Sequence, residues 1–258
     1  MSSQELKNKP LVEAIFEMRW ALQQKGLGGT VDPHYRLLLG RLYDRLQTEY
    51  PEHQQLDTAN IPDEMAGHVV QHRFRVAEDD WPLVQLGPGI FTVNDTSKYR
   101  WSDYRARVID AQKKLYDAHP KSGELKIENL TLRYIDAVEF DHQSSSVLDF
   151  LNEKMKVSIS LPQSLFENTD VDLLPQHFQT HQMYHSKKPL GIVQISFATG
   201  QRDGKSALIW ETMCQSIGDD LPKVPEEFET WLDQSHTLVK DWFFKLIDGD
   251  LLRRFSGE

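Results

Sequence analysis

The sequence predicts an α+β fold in which a mainly antiparallel sheet is backed by helices. Three observations carry this prediction. Some segments alternate apolar and polar residues, as strands do. Others repeat apolar residues every three or four positions, as amphipathic helices do. The order strand, helix, three strands, helix occurs twice, in residues 10–118 and 127–247. We therefore expect one compact unit, residues 1–258, built from two pseudo-repeats.

The first half begins with the clearest strand, residues 10–20, in which every second residue is apolar: Val12, Ala14, Phe16, Met18 and Trp20. Asp32 and Pro33 predict a helix start, as N-cap and first helical residue. A leucine-rich stripe follows, and Pro51 limits that helix. Three strands are then predicted over 68–76, 81–86 and 90–94, and a second helix from Trp101.

The second half repeats this order with little similarity in sequence. A strand is predicted over 130–140, and Ser146 predicts the cap of a short helix. The stretch from there to Pro189 shows no clear pattern. Strands over 192–198 and 207–215 form a predicted hairpin, and Pro225 opens a long C-terminal helix. Duplicated antiparallel sheets of this kind resemble TATA-binding-protein-like folds, an analogy of fold alone.

Composition and charge narrow the class of protein. The chain has 39 acidic and 29 basic residues, a net charge of −10, and one cysteine, Cys214. The acidic balance disfavours non-specific binding of polyanions, and a single cysteine excludes a disulfide framework within the chain. Residues 1–10 lack the apolar run of a signal peptide, and no stretch has the length of a membrane span. We expect a cytoplasmic protein without membrane contact and without a cofactor.

Four segments together suggest a family. Residues 10–20 read P-L-V-E-A-I-F-E-M-R-W, and residues 132–136 read L-R-Y-I-D. Two further sets contribute: Asn94 with Tyr99, Trp101 and Tyr104, and His236 with Phe244, Ile247 and Leu251. The chain resembles a sporadically distributed family of prokaryotic proteins that opens on P-L-x-E-A-x-F-E-x-R-W and has asparagine where Asp136 stands. The resemblance implies an accessory gene, in phage defence or toxin neutralisation, and it transfers no catalytic residue.

Residues 199–206, T-G-Q-R-D-G-K-S, invite comparison with a phosphate-binding loop. That motif needs four residues between its glycines and a helix after them. Here three residues separate Gly200 from Gly204, and a predicted strand follows. We therefore favour a hairpin turn at Asp203-Gly204.

His177, His181 and His185 recur every four residues, and on a helix they would share one face. Three imidazoles can hold a catalytic zinc ion. The stretch lacks helical periodicity, however, and has no carboxylate at matching spacing. A surface segment without metal is the favoured interpretation, and zinc binding by these three histidines stays open.

Residues 98–114 combine six basic residues and two acidic ones with Tyr99, Trp101 and Tyr104. Basic and aromatic side chains together are typical of proteins that bind single-stranded nucleic acid. The aromatic residues also fit the buried stripe of the second helix, so a solvated basic face is favoured. Residues 219–233 have the opposite character, with six acids and one lysine.

Asp136 is the least expected residue. Strand alternation places it with Leu132, Tyr134 and Val138 on the face that helices cover. An unpaired carboxylate there would cost on the order of several kcal/mol. It must pair with another segment, take a raised pKa or lie where the face opens to solvent. A structural hydrogen bond is favoured over a functional role, so we expect Asp136→Ala to be severely destabilising and Asp136→Asn mild.

The other face of the sheet is predicted to be polar and of mixed charge: Glu13, Glu17, Arg19, Gln71, Arg73, Arg75, Arg133, Glu139, Gln194 and Ser196. A mixed-sign face suits recognition of a protein or peptide. We therefore favour a non-enzymatic protein-binding or adaptor subunit of a prokaryotic accessory system. The candidate binding residues are Arg19, Arg73, Arg100, Arg107, Arg133 and Asp136.

Two alternatives stay open. One is an enzyme or small-ligand binder with a cleft between the two halves. The other is a nucleic-acid binder that uses residues 98–114.

Overall fold

The computed structural model describes residues 6–26, 28–96 and 98–258. Within them the chain is α+β, with five α-helices and a large antiparallel sheet of nine strands, as the sequence predicts. The strands are β1 Leu11–Trp20, β2 Gln23–Lys25, β3 Gly29–Val31, β4 Glu52–Gln55, β5 His72–Arg75, β6 Leu83–Gly87, β7 Ile90–Asp95, β8 Ile127–Glu139, β9 Gln179–Lys187, β10 Leu190–Arg202 and β11 Lys205–Ile217. The helices are α1 Tyr35–Leu46, α2 Trp101–Ala118, α3 Val147–Met155, α4 Phe228–Ile247 and α5 Asp250–Ser256.

The strand order in the large sheet is β4-β5-β6-β7-β1-β8-β11-β10-β9, and β2 and β3 form a separate hairpin. The strands β1 and β8 are central neighbours, with Phe16 opposite Leu132. Strands from the first half of the chain lie on the β1 side, and strands from the second half lie on the β8 side. The middle of the sheet is therefore where the two halves meet.

One face of the sheet is packed against the helices. The alternation predicted for β1 holds from Ala14 onwards, since Ala14, Phe16 and Met18 are fully buried on this face. At the start of the strand a register shift places Leu11 in the core, and Val12 is only half-buried. The buried residues of β1 belong to a core that includes residues of α1, α2 and α4 as far as Val239, with Cys214 also buried in it. A second apolar cluster joins α3, α5 and the last part of α4 to the far end of the sheet.

The first helix begins later than Asp32 and Pro33 predict, because the Asp32 carboxylate binds groups outside the helix. Its carboxylate accepts hydrogen bonds from Trp20 Nε1 (2.9 Å), the backbone N–H of Gly89 (3.3 Å) and that of His34 (2.9 Å). Asp32 therefore ties the end of β1 to the β6–β7 turn, and α1 begins at Tyr35. Likewise Pro225 precedes α4 by three residues, and that helix begins at Phe228.

Two strand predictions need correction. The strand predicted over 68–76 is only β5, His72–Arg75, because His68 adopts a left-handed φ of 58° and its ring contacts the carbonyl oxygen of Trp20 at 3.0 Å. The unpatterned stretch before Pro189 contains an edge strand, β9. None of its residues is buried, so apolar alternation could not reveal it.

The turn at Asp203-Gly204 joins β10 to β11, as predicted. Both residues have positive φ, 52° and 76°, which suits a two-residue hairpin turn. A strand follows instead of a helix, so residues 199–206 lack the context of a phosphate-binding loop.

Each helix in the described part of the chain is too short or too polar to cross a bilayer.

Candidate functional site

A cavity of about 340 Å³ lies on the helix-covered side of the sheet. Five segments meet there: the residues leading into β1, the start of α2, the middle of β8, β11 and the second half of α4. Its lining is Leu6, Lys9, Pro10, Leu11, Tyr99, Arg100, Trp101, Ser102, Tyr134, Asp136, Thr212, His236, Val239, Lys240, Phe243 and Phe244. Its size falls in the range of small-molecule sites, and both halves of the chain contribute to it.

One face of α4 forms a wall of the cavity. His236, Val239, Lys240, Phe243 and Phe244 lie at positions i, i+3, i+4, i+7 and i+8 of that helix, the spacing that brings side chains to one face. The face that packs on the sheet, with Trp231 and Leu232, overlaps this one, because Val239 belongs to both the core and the cavity lining. The aromatic wall therefore continues the core stripe of the same helix.

A chain of hydrogen bonds crosses the cavity wall. The hydroxyls of Tyr99 and Tyr134 are 2.8 Å apart, and the Tyr134 hydroxyl is 3.0 Å from Nδ1 of His236. The ring of His236 also stacks on Trp101, with centroids 3.7 Å apart and planes 6° from parallel. The start of α2, the strand β8 and the helix α4 are thus held together by these four side chains.

Burial determines the protonation states of the tyrosine and histidine side chains in this wall. Burial, reinforced by the nearby Lys240 ammonium, lowers the pKa of His236 to about 3. Burial also raises the pKa of Tyr134 well above its ordinary value. At neutral pH the Tyr99, Tyr134 and His236 side chains are therefore uncharged, and one nitrogen of the imidazole keeps its proton.

Asp136 lies in this cavity without the partner that the sequence led us to expect. It is 3% exposed, and its carboxyl makes no hydrogen bond or ion pair within the described residues. Burial raises its pKa to about 8, and the positive charge of Arg202 offsets this only partly. The Arg202 guanidinium donates instead to the backbone oxygens of Pro10 (3.0 Å) and Ala137 (3.2 Å).

Thr212 adds a second unpaired polar group. It lies opposite Tyr134 in the β8–β11 pair. Tyr134 and Asp136 are neighbours on the same face of β8, so Thr212 lies diagonally across from Asp136 on that face. The residue is 1% exposed and lines the cavity, and its hydroxyl has no hydrogen-bond partner among the described residues. The arrangement therefore offers a carboxyl that is neutral at pH 7 and a free hydroxyl, enclosed by aromatic and aliphatic side chains.

We predict that Thr212→Val leaves the free energy of unfolding unchanged or raises it by about 1 kcal/mol, because the lost hydroxyl makes no hydrogen bond. Thr131 is the matched control on β8. Its hydroxyl donates to Asn129 Oδ1 at 2.7 Å and accepts from Gln215 Nε2 at 3.3 Å. Thr131→Val should lower stability by about 1 kcal/mol. Urea unfolding of both variants measures the difference, and an equal loss in both would contradict the free hydroxyl at Thr212.

The structure separates the other candidate binding residues. Arg100 lines the cavity with Asp136, whereas Arg19, Arg73 and Arg133 lie on the opposite face of the sheet. There Arg19 pairs with Glu17 at 2.7 Å, Arg133 with Glu211 at 3.7 Å, and Arg73 donates to Gln85 Oε1 at 2.7 Å. That face is a network of internal polar contacts.

The basic residues of 98–114 are largely engaged with acids. Arg107 binds the buried Asp95 at 2.6 Å, and Arg105 binds Asp233 at 2.6 Å and Glu229 at 3.3 Å. Lys113 also contacts Glu229, and Lys114 contacts Glu49 and Asp110. The basic side of α2 and the acidic start of α4 therefore neutralise each other, a pairing that the sequence did not reveal.

The three histidines of the candidate zinc site do not share a helix. His181 and His185 lie exposed on β9, and His177 precedes that strand. Across the described ranges of the chain, no group of three or more histidine, cysteine, aspartate or glutamate side chains is placed to hold a metal ion.

Sequence reasoning assigned Trp101 to the core and did not single out Phe243 for any role. Trp101 fits the buried stripe of α2 equally well, because a cavity wall and a core present the same periodicity. The signal that could have found the site is the presence of His236 and Lys240 at helical spacing with Phe243 and Phe244 on α4.

No protein-family model matches the chain, and no curated protein matches it. Function must therefore be argued from the geometry of the site.

Proposed function

We propose that this protein binds a small organic molecule in the cavity between its two halves. The observation that carries the proposal is the pair of buried polar groups, the Asp136 carboxyl and the Thr212 hydroxyl, that line an aromatic cavity without hydrogen-bond partners among the residues that the structure describes. A ligand with complementary polar atoms would satisfy both groups. This favours the small-ligand alternative over the adaptor hypothesis.

The energetics support a ligand. An unpaired buried polar group costs about 1–3 kcal/mol, and more when it is charged. Alanine or valine at these two positions would avoid the cost, and the sequence has neither. Proteins tolerate such local destabilisation chiefly where a site needs it.

The segments behind the family resemblance also support this site. Tyr99, Trp101, Tyr134, Asp136 and His236 come from three distant segments of the chain, and all line the cavity. If the chain belongs to that family, these five of its distinguishing residues line one cavity. An asparagine in place of Asp136 would offer the same kind of group, neutral and able both to donate and to accept.

The proposed pseudo-duplication places the cavity at the junction of two related units. The strand order supports it: β1 and β8 are the central pair, each followed outward by the last and then the next-to-last strand of its half. The helices also correspond in order, α1 with α3 and α2 with α4. The TATA-binding-protein-like analogy rests on this order alone.

An enzyme is a second candidate, favoured by the raised pKa of Asp136. A carboxyl with a pKa of about 8 can give or take a proton near neutral pH, which suits a general acid or base. The same cavity would then hold a substrate.

The adaptor hypothesis has a different support. Four aliphatic side chains between α3 and β9 are more than half exposed: Leu161, Leu165, Val171 and Leu173. They lie in one stretch of the chain, residues 161–173, and exposed apolar patches often mark protein contacts. A ligand-binding subunit of a cytosolic accessory system would use both features, the cavity for the molecule and this segment for a protein. Nucleic-acid binding by residues 98–114 has the weakest support, because Arg105, Arg107, Lys113 and Lys114 are paired with acids.

We predict that an uncharged aromatic probe, N-phenyl-1-naphthylamine, enters the cavity. The measurement uses the indole N–H signals of ¹⁵N-labelled protein. The chain has six tryptophans, and Trp101 lines the cavity. Its signal, assigned by its loss in Trp101→Phe, should shift saturably as the probe is added, because a stacked ring changes the local magnetic environment.

Trp20 and Trp81 are internal controls in the first half of the chain, where neither lines the cavity. Their signals should not move. The proposal fails if the Trp101 signal is unaffected, or if all the indole signals shift together, as they would on non-specific binding.

A further inference from the structure

The polar residues that line the cavity differ in how deeply they are buried. Asp136 and Thr212 are buried at 3% and 1% exposure on the sheet, whereas Arg100, Ser102 and Lys240 are exposed. The deep end is therefore uncharged at neutral pH, and the outer end is basic. Asp136 is the one acid that lines the cavity among the described residues.

The charges at the outer end have the same sign. Lys9, Arg100 and Lys240 all line this cavity, from three different segments. Lys9 also donates to the backbone oxygen of Tyr99 at 2.7 Å, next to Arg100. The start of α2 lies at the same place, since Trp101 and Ser102 are its first residues. The N-terminus of an 18-residue helix adds a partial positive charge.

The lining is also rich in apolar side chains. Trp101, Phe243, Phe244, Leu11 and Val239 all line the cavity. Aromatic walls favour a planar body, which stacks or packs edge to face on them. The cavity lining therefore combines three kinds of group: buried neutral polar groups, aromatic side chains and cations.

Resting on the proposed function, we propose that the ligand is a planar aromatic anion with a neutral hydrogen-bonding edge. Its carboxylate or phosphate lies at Lys240, Arg100, Lys9 and the start of α2. Its ring lies against Trp101 and Phe243. Its far edge carries a carboxamide-like group, which donates to and accepts from Asp136 and Thr212.

Three naphthalene probes test the two ends separately. 2-Naphthoate has only the anion, 2-naphthamide has only the edge, and 6-carbamoyl-2-naphthoate has both at opposite ends. Calorimetry gives each Kd, and the Trp101 indole signal reports the site. The third probe should bind about fivefold more tightly than either of the others, since it gains the end that the other lacks, and about 1 kcal/mol corresponds to roughly a fivefold change in Kd.

Variants identify which end each side chain recognises. Lys240→Gln should raise the Kd of the two carboxylate probes, 2-naphthoate and 6-carbamoyl-2-naphthoate, about threefold at low salt and leave the Kd of 2-naphthamide unchanged. Thr212→Val should raise the Kd of the two carboxamide probes, 2-naphthamide and 6-carbamoyl-2-naphthoate, about threefold and leave the Kd of 2-naphthoate unchanged. Lys245→Gln is the matched control, because Lys245 is an exposed lysine of α4 that pairs with Asp241 at 2.6 Å and does not line the cavity. It should change none of the three.

The outcomes separate the two proposals. If 2-naphthamide binds as tightly as 6-carbamoyl-2-naphthoate, or if Lys240→Gln weakens all three equally, the anionic ligand is wrong while the binding cavity stands. If 2-naphthoate binds as tightly as the bifunctional probe, the hydrogen-bonding edge is wrong. If no probe moves the Trp101 signal, and N-phenyl-1-naphthylamine also fails, the binding cavity itself is overturned.

Discussion

Asp136→Asn is expected to stabilise the protein at pH 7 by up to about 4 kcal/mol. The carboxyl has an ordinary pKa of 3.8 in the unfolded chain and a pKa of about 8 when buried in the folded protein. At pH 7 the unfolded state has already released this proton, and the folded state still holds it. About three pH units separate the ordinary pKa from pH 7, and each is worth about 1.4 kcal/mol.

The pH dependence gives the sharper measurement. Because the folded pKa lies above the unfolded one, the stability that Asp136 contributes is fully present below about pH 4 and is lost as pH rises towards 8. His236 acts in the opposite direction. Its pKa is lowered to about 3 in the folded state, so its contribution is lost as pH falls from about 6.5 to 3.

The difference in unfolding free energy between wild type and Asp136→Asn reports the effect of the carboxyl alone, because both proteins keep His236. Chemical unfolding at several pH values should give nearly equal stabilities at pH 4 and a gap that widens up to pH 8. A variant that is less stable than wild type at pH 7, with an unchanged pH profile, would mean that Asp136 is ionised and paired in solution. The sequence-based expectation of a mild loss is thereby replaced by a gain.

The position of Asp136 could be read from the sequence, but its surroundings could not. Alternation in β8 places it with Leu132 and Val138 on the covered face, and both are buried there. Whether a carboxyl on that face is paired depends on which distant side chain reaches it. Arg202, whose positive charge lowers the pKa of Asp136, donates to backbone oxygens instead, and no local sequence pattern predicts this.

The same limit applies to the cavity and to the ion pairs of α2. Tyr99, Tyr134 and His236 lie 35 and 102 residues apart along the chain, so their contact follows only from the packing of α2 and α4 on the sheet. The pairing of Arg105 with Asp233 has the same origin. The periodic elements β1, α2 and α4 were predictable because each buries one face. The edge strand β9 was not, because it buries neither.

Gly191→Ala is expected to lower the free energy of unfolding by about 3 kcal/mol or more. Gly191 has a φ of +140°, a conformation that is strained for any other residue and costs about 1–3 kcal/mol. A Cβ there would also lie 2.1 Å from the backbone oxygen of Gln215 and 2.9 Å from Ser216 Oγ. The neighbouring strand β11 would have to move.

This close approach supports the cavity indirectly. Ser216 Oγ accepts from Trp231 Nε1 at 2.9 Å and donates to the carbonyl of Leu190. Trp231 fixes α4 on the sheet, five residues before His236. Displacing β11 should therefore loosen this anchor, and hydrogen exchange at the Trp231 indole should accelerate by more than the loss of global stability requires.

Gly40→Ala is the matched control, because the same substitution at that position should raise the free energy of unfolding. Gly40 lies inside α1, and a Cβ added to it would meet no atom within 4 Å. Alanine in a helix interior is about 1 kcal/mol more favourable than glycine. Thermal and urea unfolding of both variants should give a loss for Gly191→Ala and a gain for Gly40→Ala. If Gly191→Ala were as stable as wild type, β10 and β11 could separate without cost, and the hydrogen bond from Trp231 to Ser216 could not be what positions the wall of the cavity.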